Sequence, residues 1–152
     1  MSRNRLPLIS SLVLFLVLST LILGAGIYRK SQLDSSSRQM AITTTESVFA
    51  SGTADQLVAN AHQSLLAEMS PASLNAYLNS IQRILGPLDA IEAISGTTDV
   101  PLIPFAGPAP TASFEINLVF ADNLAIAVVE MIYEQGLWQI TGYNIQSDLL
   151  FN

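Results

Sequence analysis

The chain has 152 residues, half of them hydrophobic, with six Lys/Arg against twelve Asp/Glu and a formal net charge of −6. That acidic balance repels phosphate backbones and argues against nucleic acid as a partner. There is no cysteine and only one histidine, so disulfides, thiol chemistry and Cys-ligated zinc are excluded, and no His cluster is available for a metal.

Leu6–Tyr28 is an uncharged, Leu/Ile/Val-rich run of 23 residues. A helix rises about 1.5 Å per residue, so about 20 apolar residues span the hydrocarbon core and this run does so with some tilt. A cleavable signal peptide has a shorter apolar core, about 7–15 residues, before a small-residue site. Gly24-Ala25-Gly26 offers such a site, but the length favours an uncleaved single-pass anchor in the lipid bilayer. Arg3 and Arg5 precede the run, and Arg29, Lys30 and Arg38 follow it, partly offset by Asp34. The positive-inside count is therefore nearly tied. The downstream composition decides: from Met40 onward there is no lysine and one arginine, Arg83, against eleven carboxylates. Little there would retain the domain on the cytoplasmic side. The expected organisation is a cytoplasmic N-terminus (1–5), an anchor in the inner membrane (6–28), a tether (29–44) and an extracytoplasmic domain (45–150).

Ser31–Gln39 is polar and Ser-rich, the composition of a short tether or of a frayed continuation of the membrane helix. Met40–Ala50 has helical potential, lowered by Thr43-Thr44-Thr45, and Ser51-Gly52 ends it. Thr53 with Gln56 three residues later is a capping-box signature and predicts a helix over Ala54–Met69. Ser70 as N-cap and Pro71 at the first helical position open the next helix. Leu74, Tyr77, Leu78, Ile81, Ile84 and Leu85 form its apolar stripe, and Gly86-Pro87 stops it.

The period then changes. Leu88–Ser95 is a plausible first strand, followed by a Pro/Gly-rich connection over Gly96–Thr111 that contains Val100, Leu102, Ile103 and Phe105. Ala112–Ala121 alternates, with Phe114, Ile116, Leu118 and Phe120 on one face. Asp122-Asn123 and Gln135-Gly136 are turns that join it to strands over Leu124–Glu134 and Leu137–Gln146. Gly142 predicts a bulge that moves the inward phase from Trp138 and Ile140 to Tyr143 and Ile145. Helices followed by a meander give an α+β fold, with helices packed on one face of a curved antiparallel sheet.

This order, ending in Gln135–Ile145 (QGLWQITGYNI), resembles the nuclear-transport-factor-2-like or cystatin-like superfamily, and within it small exported bacterial domains of uncharacterised function. Leu85-Gly86-Pro87 and the Gly-Trp-x-Ile-x-Gly strand carry the resemblance, which covers residues 45–149. It implies a helix-filled roll and no particular reaction, since one fold hosts many functions. The chain also resembles the membrane-anchored cytochrome oxidase assembly factors, through its anchor, the Leu-Gly-Pro helix end and the tryptophan in the last strand. It departs from them at Asp122-Asn123, where they carry a Gly-rich turn, and in the extra helix over Ala54–Met69.

Enzymes on such rolls place Asp, His and Tyr in a pocket between sheet and helices. The candidates for that pocket here are Tyr77, Phe114, Ile116, Glu130, Trp138 and Tyr143, with Glu130 as a proton acceptor if it faces inward beside Ile126, Val128 and Ile132. The alternative leaves Glu130 in solvent. His62 reads as a surface or partly packed histidine, and Glu115 as a residue of a polar strand face. No metal-ligand spacing, Gly-x-Ser-x-Gly elbow or phosphate-cradling loop is present, so no catalytic residue, metal or cofactor is assigned. The Val100–Pro110 tract is expected to complete the core, with an exposed partner patch as the alternative. The leading expectation is a membrane-anchored binding or scaffold module that contacts another membrane or envelope protein. A small-ligand pocket and an assembly factor for a membrane complex are the alternatives.

Overall fold

The computed structural model describes residues 6–101, 107–121 and 123–150, with side chains from Leu12 onward. Its first element is a single 46-residue helix, α1 (Leu6–Ser51). The apolar half has mean hydropathy 2.0 over its best window and is only 6% buried, so it is no core helix and is long enough to cross a membrane. The second half belongs to the domain. Leu33, Ser37, Ala41, Thr44, Thr45, Val48 and Phe49 are buried and recur at helical spacing along one stripe.

Residues 31–39 are therefore a packed continuation of the helix. Their polarity misleads because the buried hydroxyls are partnered. Ser37 Oγ donates to the Asp34 carbonyl at 3.0 Å and meets Thr98 Oγ1 at 3.1 Å. A buried hydroxyl with a partner costs little, and its small volume lets helix and sheet approach closely.

The helix expected over Ala54–Met69 is broken in two, α2 (Asp55–Ala59) and α3 (Gln63–Glu68). Between them Ala61 forms a parallel bridge with Ile140: the Ile140 N–H donates to the Asn60 carbonyl, and the His62 N–H donates to the Ile140 carbonyl, both at 2.8 Å. Two bonds to a sheet edge thus replace a continuous helical ladder. The capping box does not form, because the Thr53 hydroxyl donates to Asp55 Oδ2 at 3.1 Å. Helix α4 (Pro71–Leu85) is as expected, with Ser70 Oγ accepting from the Ser73 N–H at 3.2 Å and Gly86 at φ 82° after its last turn.

Strands β1 (Leu88–Asp99), β2 (Thr111–Phe120), β3 (Asn123–Glu134) and β4 (Leu137–Gln146) form one antiparallel meander in the order β1-β2-β3-β4. The architecture is α+β, with the helices on one face of the sheet. β1 extends four residues beyond its expected end. Opposite Phe114, Gly96 adopts φ 140°, which only glycine takes readily. In β4, Gly142 pairs with Glu130 and Ile140 with Met131, leaving Thr141 as the extra residue of a bulge. Trp138, Ile140, Tyr143 and Ile145 are accordingly all buried. Val100 is buried too, while Leu102, Ile103 and Phe105 lie outside the described residues.

The core lies between the α1 stripe, the α4 stripe (Leu74, Leu78, Ile81, Leu85) and the inward face of β2 (Phe114, Ile116, Leu118, Phe120). Arg38 stacks its guanidinium 5.0 Å above the Phe114 ring and donates to the Ile94 carbonyl at 3.2 Å, tying α1 to both β2 and β1. Phe49 meets Phe120 edge-on at 5.3 Å.

The two strand glycines should respond differently to alanine. A Cβ at Gly96 would overlap the Ser113 carbonyl and Phe114 in an already left-handed conformation, so Gly96→Ala should cost about 2 kcal/mol or more. A Cβ at Gly142 would meet the Glu130 side chain, its Cβ at 3.4 Å and its Oε2 at 2.8 Å; the carboxylate end can swing away, so Gly142→Ala should cost less than about 1 kcal/mol. Thermal melts of the two full-length variants in one detergent check this ordering.

Candidate functional site

The six residues expected to line one pocket separate into four places. Phe114 and Ile116 are fully buried, close-packed core. Tyr77 and Tyr143 belong to a hydrogen-bonded cluster between α4, β4 and α1. The Tyr77 hydroxyl accepts from the Ile145 N–H at 2.9 Å and donates to Asn144 Oδ1 at 3.2 Å, and the Tyr143 hydroxyl donates to Thr45 Oγ1 at 3.4 Å. Burial raises the pKa of both phenols. The Ile145 N–H partly opposes this at Tyr77; at Tyr143 the Thr45 bond opposes it weakly and Tyr77 adds to it.

Glu130 is on the outer, solvent face of the sheet. The inward face of β3 is Ala125, Ala127, Val129 and Met131, so Glu130 projects away from the core with Ile126, Val128 and Ile132. The strand is apolar on both faces, so its alternation does not set the phase. It is the register against β2, with Ala127 opposite Ile116 and Val129 opposite Phe114, that fixes it. Glu130 therefore cannot serve an interior pocket as a proton acceptor.

His62 has a structural explanation. Its Nδ1 lies 3.2 Å from the Ser64 N–H that it accepts, capping α3, and Nε2 stands 3.7 Å from Glu134 Oε2. Among the described residues no group of three His, Cys, Asp or Glu converges as a metal site would require.

What the fold does build is a cleft of about 720 Å³ between α1, α2 and the start of β4. Leu33, Met40, Tyr133, Leu137 and Trp138 give it an apolar lining, and Gln32, Gln39, Gln56, Asn60 and Gln139 supply side-chain amides. Among the described residues, no ionisable group other than the Tyr133 phenol lines it. Trp138 is fixed there by its indole N–H, which donates to Ser36 Oγ at 3.0 Å, and by an edge-on contact with Tyr133 at 5.3 Å. Two smaller clefts, about 430 and 290 Å³, are lined by residues of the α1–β1 end and of the outer sheet face; neither they nor the large cleft reach Phe114, Ile116 or Tyr143.

Amide side chains beside apolar rings bind uncharged polar surfaces. They supply neither nucleophile nor general base. Of the expected candidates only Trp138 lines this cleft. The signal that locates the rest is the spacing of Gln32, Ser36, Gln39 and Thr43, a polar uncharged stripe at helical period that disappears when the segment is read as a tether. No family model matches the chain, and no curated protein or solved structure matches it.

Two substitutions separate packing from chemistry. Glu130→Gln should leave stability within about 0.5 kcal/mol of wild type, as expected for an exposed outer-face residue. Tyr143→Phe bears on pH dependence. A phenol whose folded pKa is raised contributes stability that is fully present below the unfolded value near 10 and is lost as pH rises through the folded value. The wild-type melting temperature should therefore fall above about pH 10, and Tyr143→Phe should make that fall shallower. Melts monitored by circular dichroism between neutral and alkaline pH check both.

Proposed function

We propose that the chain is a single-pass, membrane-anchored binding module whose domain stands on the extracytoplasmic side of the inner membrane and engages another membrane or envelope protein through the α1–β4 cleft. The observation that carries this reading is the cleft itself: wide, amide-lined and uncharged, and built partly by the helix that also carries the apolar run. A site of that composition suits an uncharged polypeptide segment. The scarcity of cations beyond Met40 supports export of the domain. A long helix followed by a four-stranded antiparallel meander supports the cystatin-like roll suggested by the terminal strand motif.

A carrier or isomerase with an interior pocket is the weaker reading, since Phe114 and Ile116 fill the centre and Glu130 faces outward. Service as an assembly factor is one form of the binding reading.

Photo-crosslinking amino acids at Gln39 and Gln139, in the cleft, and at Glu115, on the outer face, test the proposal in native membranes. The same polypeptide captured from both cleft positions and absent from position 115 is the expected result. Capture from position 115 alone, or from none of the three, would contradict it.

A further inference from the structure

Strand β4 is the last strand of the sheet, so one of its edges has no neighbouring strand. Such an edge presents N–H and carbonyl groups that must find partners elsewhere. Near the middle of β4 the segment 60–62 supplies them. The Ile140 N–H donates to the Asn60 carbonyl and the His62 N–H donates to the Ile140 carbonyl, one step of a parallel ladder. Farther along, the Ile145 N–H donates to the Tyr77 hydroxyl.

Toward the β3–β4 turn this cover stops. The pairing of β3 with β4 is regular from Glu134–Leu137 to Met131–Ile140. Along an antiparallel strand, successive residues turn their backbone groups alternately toward the neighbour and away from it. Ile140 turns away, so Trp138 does too. Continuing the parallel ladder by two residues would pair the Trp138 N–H with the Val58 carbonyl and the Trp138 carbonyl with the Asn60 N–H. The last turn of α2 has taken both. The Ala61 N–H donates to the Val58 carbonyl at 3.2 Å, and the Asn60 N–H donates to the Gln56 and Leu57 carbonyls at 3.3 and 3.2 Å. Among the described residues nothing bonds the outward N–H or carbonyl of Trp138.

These two groups face the side on which the α1–β4 cleft lies, with Ala59, Asn60 and Trp138 in its lining. Their needs choose the occupant. A helix spends its own backbone groups internally and offers them no partner, whereas an extended segment does. The uncovered stretch is Leu137–Gln139, about 10 Å of strand. Side chains of an added strand alternate between the two faces of the sheet. One set would fall on the Trp138 face, beside Leu33 and Met40, and the other on the Gln139 face. A charge on that segment would meet no counter-charge in the cleft lining, so the segment is uncharged there.

We propose that the cleft recognises its protein partner by strand addition: an extended, uncharged segment pairs with the β4 edge at Trp138 and prolongs the line begun by residues 60–62. The proposal rests on the binding reading above and gives the conformation and chemistry of the bound segment.

The test starts from the polypeptide that a photo-crosslinker at Gln139 of the full-length chain captures in native membranes. Its attached segment is identified by mass spectrometry and made as a short synthetic peptide, with a series methylated at one backbone nitrogen at a time. Each peptide then competes against the crosslink. The expected result is that the unmodified peptide blocks capture. Methylation at the one residue whose N–H meets the Trp138 carbonyl should weaken competition about tenfold, and methylation of its immediate neighbours should change it little. Equal competition by every methylated peptide would show recognition by side chains alone and overturn strand addition while leaving the binding reading intact. A peptide that cannot compete would show that the partner presents a folded surface, and would overturn it in the same way. No captured polypeptide, or capture of a second copy of this chain, would overturn the binding reading and this proposal with it.

Discussion

The buried stripe from Leu33 to Phe49 on α1 is the contact on which the rest of the domain depends. It supplies the surface that the sheet wraps, and it belongs to the same unbroken helix as the apolar run. Small side chains, Ser37, Ala41, Thr44 and Thr45, let the backbone of α1 approach the sheet, and larger ones at its end, Val48 and Phe49, meet Phe120 and the α4 side. Removing that helix would uncover the part of the inward β2 face that Arg38 and Phe49 meet at Phe114 and Phe120. The domain is thus built around its own stalk.

Continuity has a mechanical consequence. A Gly/Ser coil would let a domain tumble over a bilayer, whereas a helix fixes both height and azimuth. The cleft beside Trp138 keeps one orientation relative to the apolar run, because α1 contributes one of its walls. Under the proposed function, part of the orientational cost of association with a membrane neighbour would be met before encounter.

Much of this was legible from residues alone. Helix α4 announced itself by its cap, its first-turn proline, its stripe and its terminal glycine. The three long strands followed from alternation and two-residue turns, and the bulge followed from Gly142. What was hidden shares one cause, that local composition is silent about tertiary partners. The Ser-rich segment after the apolar run read as a tether because nothing nearby shows that Thr98 waits for Ser37. The segment 54–69 read as one helix because the edge of β4, which claims Asn60 and His62, lies far along the chain. On paper Glu130 stands between an inward and a solvent-facing reading because β3 is apolar on both faces; register, not pattern, decides its side. The candidate pocket failed for the same reason, and the cleft that replaces it needed the helix continuity to be visible first.

The central claim is that the apolar run and the domain are one rigid body joined by α1. Spin labels placed singly along residues 24–45 of the full chain in phospholipid nanodiscs test it most directly. The account predicts mobility that oscillates with helical period throughout, with immobile minima at Leu33, Ser37 and Ala41. Uniformly high mobility from Arg29 to Gln39, with no period, would show a flexible tether and contradict it.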